Sequence, residues 1–190
     1  MKQKKSTRKT ALRADAQRNR DLILAAAEEV FLERGAGASL DDVARRAGVG
    51  IGTLYRHFPT RDALLSASYS ARFLSFAESS RANSNAERDP CGAVRTYLEQ
   101  LVMHTNVYQG LATSLGTVLQ SGTPGCHATS EEGRRLLRVA QKAGSIRREV
   151  SFDDLVCVAT AISLAAEKDG SSRVRISHLV GLFLNGICVQ

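Results

Sequence analysis

Between positions 50 and 57 the chain reads Gly-Ile-Gly-Thr-Leu-Tyr-Arg-His, and its non-aliphatic members form a chemically suggestive set. Gly50 and Gly52 allow a backbone to come close to another body. Thr53 brings a hydroxyl, Tyr55 a phenol on a rigid ring, Arg56 a planar fork of donors that suits guanine edges or phosphate, and His57 an imidazole. Such a face suits a nucleic-acid groove, where phosphate contacts position a protein and base-edge contacts read sequence. The rest of the chain offers no rival chemistry. It has no Gly-rich phosphate loop, no Gly-x-Ser-x-Gly elbow and no His-Glu-x-x-His, and none of its 4 histidines sits at the spacing of helical metal ligands. No enzymatic activity, resident metal or cofactor is therefore expected.

For these residues to face outward together they need a short helix, and the flanking pattern predicts one. Ile51, Leu54 and Phe58 recur at helical spacing and Pro59 forbids continuation. Gly52, Thr53, Arg56 and His57 are left on the opposite face, and Tyr55 can pack its ring while its hydroxyl reaches a phosphate. Upstream, Ser39 followed three residues later by Asp42 is a capping-box-like start, and Leu40, Val43, Ala44 and Ala47 keep the pattern as far as Gly48. A first helix fits Arg18 to Arg34, with Leu22, Ile23, Ala26, Ala27, Val30 and Phe31 apolar and Gly35 and Gly37 as its stop. Two short helices joined by Gly48-Val49-Gly50 make a helix-turn-helix, whose second helix enters the major groove of duplex DNA.

The stretch Ser39 to Leu65, and within it Gly-Thr-Leu-Tyr-Arg-His-Phe from Gly52 to Phe58, closely resembles the DNA-binding domain of TetR/AcrR-family transcriptional regulators. The resemblance covers about Arg18 to Tyr69. It implies groove and phosphate contacts from Gly50, Gly52, Thr53, Tyr55 and His57, to which the pattern adds Arg56 and, at the start of the second helix, Ser39. Many members carry Lys at the start of the fourth helix; Arg61 keeps that charge for a phosphate but presents a planar fork instead of a point charge. The resemblance further implies a homodimer on a pseudo-palindromic double-stranded operator. Most such proteins are repressors that a small-molecule effector releases from DNA.

Charge supports a polyanion partner. The chain carries a formal +7, and its first twenty residues hold Lys2, Lys4, Lys5, Arg8, Lys9, Arg13, Arg18 and Arg20 against Asp15 alone, so the remainder is neutral overall. Residues 1–17 are expected to be a flexible basic arm that adds nonspecific phosphate affinity. The rival reading from another class is a non-enzymatic adaptor that binds anionic surfaces through this arm.

Downstream, Thr60 can cap a fourth helix through Leu64, Leu65, Phe73, Leu74 and Phe76 to about Ser80, and Asp89-Pro90 opens the next, with Val94, Tyr97, Leu98, Leu101 and Val102 in phase. A further helix fits Tyr108 to Gln120, and Ser130 with Glu131 and Glu132 opens one that Ala143-Gly144 closes. Ser151 and Asp154 begin a helix that is apolar nearly all round, and about Arg175 to Cys188 forms the last. No strand signal competes, so the expected fold is all-α: an arm over 1–17, a three-helix DNA-binding domain over 18–62, and a helical effector-binding and dimerisation domain over 63–190.

A helix without a wet face needs cover on several sides, and a second subunit is the economical cover, with Leu155, Ala159, Ile162, Leu179 and Phe183 as interface candidates. The resemblance implies that the last two helices pair as a four-helix bundle across the dimer. Candidate effector contacts are Phe73, Tyr97, Leu101, His104 and Tyr108, several of which share a helical stripe and carry polar tips.

The four cysteines lie thirty or more residues apart with no Cys-x-x-Cys pair, and Cys157 and Cys188 fall in apolar runs where thiols act as small hydrophobes, so no disulfide is expected. Cys126-His127, in a Ser/Gly/Pro loop, lacks the second pair of ligands that zinc wants. The longest apolar stretch, Leu155 to Ala166, is too short to span a membrane, and the basic N-terminus lacks the apolar region of a secretory signal. A cytoplasmic location is expected.

Overall fold

The computed structural model describes residues 2–168, 170 and 172–189, with side chains from Arg13 onward. Its elements in chain order are α1 (Lys2–Arg34), α2 (Leu40–Arg46), α3 (Ile51–His57), α4 (Arg61–Asn83), α5 (Pro90–Asn106), a 3-10 turn (Leu111–Ser114), α6 (Leu115–Gln120), α7 (Pro124–Lys142), α8 (Phe152–Lys168) and α9 (Arg173–Ile187). The fold is all-helical; among the described residues the one extended pairing is an antiparallel bridge between Ile146 and Cys188.

Local chemistry explains most boundaries. The side chains of Ser39, Thr60 and Asp89 accept hydrogen bonds from the backbone N–H groups of Asp41, Ala63 and Gly92, so α2, α4 and α5 start where those oxygens satisfy otherwise unpaired donors. At α8, Ser151 and Asp154 cap each other: Ser151 N–H and Oγ donate to Asp154 Oδ2, and Asp154 N–H donates to Ser151 Oγ. Those bonds hold the Asp154 carboxyl below its usual range.

Three expectations are corrected. Helix α1 starts at Lys2, not Arg18; no Pro or Gly interrupts residues 2–34, so the helix runs through the segment expected to be a flexible arm. The side chains of Lys2, Lys4, Lys5, Arg8 and Lys9 lie outside the described residues. The helix expected over Tyr108 to Gln120 is split into a 3-10 turn and α6 after Gly110. Helix α7 starts at Pro124, six residues before Ser130, because proline at the first helical position lacks only a donor that would be unpaired there anyway.

The core is continuous from head to body. Ile23, Ala27, Val30 and Phe31 of α1 meet Leu40 and Val43 of α2 and Leu54 of α3, while Leu22 faces solvent. In the body, α4 packs along α7, and α5 lies against α7, α8 and α9. The Glu132 side chain is fully buried where α7 meets α4, and bonds from Arg135 Nη2 (2.7 Å) and Arg81 Nε (3.1 Å) balance its charge. Burial pushes its carboxyl up, and the two arginines together bring it below the usual value.

Contrary to expectation, Cys91 and Cys188 form a disulfide across a sequence separation of 97, with Cα atoms 6.6 Å apart. Packing of α5 against α9 brings the start of one to the end of the other, a proximity that cysteine spacing does not reveal. Cys126 is free and buried, which pushes its thiol pKa up, and Cys157 is free and exposed. No helix among the described residues is long and apolar enough to cross a membrane.

Candidate nucleic-acid interface

The head is built so that α2 anchors and α3 presents. Arg46 of α2 makes a two-pronged contact with Glu33 at the end of α1 (2.7 and 2.9 Å), and its hydrogen bonds hold the Glu33 carboxyl below its usual range. Asp42 receives Arg34 (2.7 Å) and Arg45 (2.6 Å). The cations of α2 are thus committed to neighbouring carboxylates. The turn to α3 passes through Gly48 at φ +68, a left-handed conformation that glycine adopts without strain.

Helix α3 is pinned by fully buried Leu54 and by Phe58 just after it, with Ile51 half-buried. Gly50, Gly52, Tyr55 and Arg56 are exposed, and Thr53 and His57 partly so. Arg56 has no ion-pair partner among the described residues, in contrast to Arg45 and Arg46. A methyl group built on Gly50 or Gly52 would meet no atom of the chain beyond its own local backbone within 4 Å. Among the described residues nothing crowds either position; Gly50 serves as the N-cap of α3, where glycine is favoured, whereas Gly52 lies inside the helix.

Two candidate DNA residues also have local structural duties. Ser39 Oγ is engaged in capping α2. Arg61 Nη1 donates to the carbonyls of Ala36 (2.9 Å) and Ala38 (2.6 Å), so this guanidinium fastens the loop between α1 and α2 to the start of α4. Periodicity could not reveal that, because the contact spans more than twenty residues. Arg20 lies over the Phe58 ring at 5.4 Å, beside α3.

In the body, the candidate effector residues are mostly core. Phe73, Tyr97, Leu101 and Tyr108 are buried and His104 is half-buried. The Tyr97 hydroxyl donates to the Thr129 carbonyl (2.9 Å), and Thr129 Oγ1 donates to the Phe73 carbonyl (2.9 Å), so the polar tip of Tyr97 is already satisfied. The structure brings His104 against Phe76 (4.9 Å between ring centroids) and Tyr108 onto Tyr69 in a stacked pair (4.1 Å), with Arg72 over the Tyr108 ring. Sequence reasoning missed Tyr69, whose hydroxyl is buried without a hydrogen-bond partner among the described residues; His104 Nδ1 and Ser163 Oγ are in the same condition. Burial, then the charge of Arg72, holds His104 below the usual histidine range, so its imidazole is neutral at neutral pH. Burial likewise keeps the Tyr69 phenol protonated.

The interface candidates divide. Leu155, Ala159 and Ile162 point into the chain's own core, while Leu179 and Phe183 are half-buried. The outward sides of α8 and α9 carry residues not singled out for the interface: Cys157, Ala161 and Leu164 on α8, and Val174 and Leu182 on α9, the last two 79% and 58% exposed. Helical spacing reveals which residues share a face but not which face the chain itself covers. Cys126 is buried and His127 exposed, so the adjacent pair does not converge on one site.

Residues 23–67 match the family described as bacterial regulatory proteins, tetR family, and residues 89–189 match the domain described as transcriptional regulator SbtR-like, C-terminal domain. A curated relative, the HTH-type transcriptional regulator SAR0097 of Staphylococcus aureus (strain MRSA252), is 43% identical over 58 residues, which are 29% of this chain and 30% of that protein. The chain thus spans about a third of the length of this relative. Among solved structures, the TetR transcriptional regulator SCO0520 from Streptomyces coelicolor is 33% identical, with 89% of this chain and 98% of that one covered and a TM-score of 0.48. RolR, solved in complex with resorcinol, has a TM-score of 0.66 at 22% identity, covering 93% of this chain and 91% of that one.

Proposed function

Because the chain belongs to the TetR family of bacterial transcriptional regulators, we propose that it is a dimeric, sequence-specific DNA-binding repressor that a small-molecule effector releases from its operator. The observation that carries the DNA-binding part is the outward face of α3. Gly50 and Gly52 have open space around them, and Tyr55 and Arg56 are exposed beside them. Glycine inside a helix weakens it, and close approach of a groove wall gives Gly52 a purpose. In this reading Thr53, Arg56 and His57 face base edges, Tyr55 and Arg61 face phosphates, and the Ser39 end of α2 lies near the backbone. The basic residues before Arg20 add electrostatic affinity. A DNA partner places the working protein in the cytoplasm.

The dimer is proposed through the outward sides of α8 and α9, where Leu164, Val174 and Leu182 are exposed and Leu179 and Phe183 half-buried. The effector is proposed to enter the body beside Tyr69, His104 and Tyr108, because a small aromatic hydroxyl compound would supply partners for the Tyr69 hydroxyl and His104 Nδ1. Resorcinol, the ligand of RolR, is of that chemical class. Fluorescence anisotropy with a DNA duplex selected by the wild-type protein tests the reading. Arg56→Ala with Tyr55→Phe should abolish preference for that duplex over random DNA, and unchanged preference would refute it. Small phenols that raise the melting temperature should also weaken operator binding.

A further inference from the structure

The α1–α2 loop is gripped from two sides at one residue. On one side, Arg61 at the first position of α4 takes the carbonyl of Ala36. On the other, the Ala36 N–H donates to the carbonyl of Gln109, at 2.7 Å, in the turn that follows α5. The approach is close because Gly35 stands next to it at φ +80: a Cβ there would lie 2.7 Å from the same Gln109 oxygen. The Gln109 side chain is exposed, and the contact is made by its backbone carbonyl, which belongs to the same peptide group as the Gly110 N–H. That N–H is held by Glu167. Its Oε1 accepts from the Gly110 N–H at 3.0 Å, across 57 residues of sequence.

A carboxylate in the last turn of a helix sits at the wrong end of the helix dipole. The bond to Gly110 gives it a purpose: a charge-assisted hydrogen bond that ties the end of α8 to the turn, and through Gln109 and Ala36 to the loop that leads into Ser39 and α2. Tyr108, in the same turn, is the residue stacked on Tyr69. We infer that Glu167 is a positioning residue for the DNA-reading head: through Gly110 and Gln109 it holds the α1–α2 loop against α8, and so sets the angle from which α3 meets DNA. The inference rests on the proposed regulator reading, and it extends that reading to a residue far from α3.

The test compares Glu167→Ala, which deletes the acceptor, with Glu167→Gln, which keeps a carbonyl oxygen in its place. Two measurements are made on the full chain. One is amide hydrogen exchange at Gly110, Ala36 and, as an interior control, Ile162. The other is affinity for the selected operator and for the same operator with one base pair inserted between its half-sites. Glu167→Ala should exchange about tenfold faster at Gly110 and at Ala36, with Ile162 unchanged. Its preference for the correct spacing should fall by about tenfold, because a loosened head tolerates either register. Glu167→Gln should restore both. Faster exchange at Gly110 with Ala36 unaltered, or spacing preference retained in Glu167→Ala, would overturn the inference. If the wild-type protein selects no DNA sequence, the regulator reading fails, while exchange at Ala36 still decides whether Glu167 holds the loop.

Discussion

Tyr55 of α3 and Tyr97 of α5 both sit on helices whose apolar neighbours keep helical spacing, yet the fold treats them oppositely. Tyr55 is 48% exposed on an outer face, whereas Tyr97 is 1% exposed and its hydroxyl is spent on the Thr129 carbonyl. The same contrast runs through the arginines: Arg81 and Arg135 are bound to buried Glu132, and Arg56 has no ion-pair partner among the described residues. Residue type alone does not mark function. In the proposed function the working groups are those whose bonding capacity the fold leaves unspent, Arg56 on the surface of the head and Tyr69 and His104 inside the body.

If this division is real, changes in the body should move stability and changes on α3 should move DNA binding. The largest effect is expected from reducing the Cys91–Cys188 disulfide. For a closed loop of about a hundred residues the chain-entropy account gives roughly 4.7 kcal/mol, so oxidised and reduced protein should differ widely in urea midpoint. Operator affinity well below either transition should be the same in both.

The next effect concerns the buried carboxylate. Arg81→Ala with Arg135→Ala leaves Glu132 buried without its cations and should cost about 3 kcal/mol, the low end for a broken buried pair because both arginines retain some solvent. The wild-type carboxyl titrates below the ordinary glutamate value, so its contribution is present above that value and is lost as pH falls through the lower folded one. Acid unfolding of the double variant should therefore show a weaker dependence on pH below about 4.5 than the wild type does.

On α3 the expected effects fall on binding. Arg56→Ala should cost about 1 to 3 kcal/mol of operator affinity if the guanidinium reads a base edge, with specificity relaxed at one operator position and the urea midpoint unmoved. Gly52→Ala is the sharpest case because its two effects oppose each other. Open space surrounds the position, so the added methyl should raise stability by up to about 1 kcal/mol. The same methyl should weaken operator binding. A variant that gains stability and keeps its affinity would erase the distinction between the two regions.

The head was legible in the sequence because its functional face is what remains after Leu54 and Phe58 turn inward, and because Ser39, Gly48 and Pro59 punctuate short helices at fixed places. The body was legible as helices, from the caps at Thr60, Asp89 and Ser151, but not as a site. Tyr69 looks like any core aromatic until its hydroxyl is found without a partner, and Arg61 like any surface cation until the carbonyls of Ala36 and Ala38 arrive beside it. Leu155 and Leu164 are equally apolar on one helix, and only packing shows that the first is core and the second exposed. The disulfide and the link from Glu167 to Gly110 depend on separations of 97 and 57 residues, beyond the reach of local pattern.

Whether α3 reads DNA sequence is decided by selection from a random duplex pool by the purified protein, followed by sequencing of the bound fraction. An inverted repeat whose half-sites lie about one helical turn, or a multiple of it, apart should be enriched. A bound fraction no different in sequence from the starting pool would contradict sequence reading by α3.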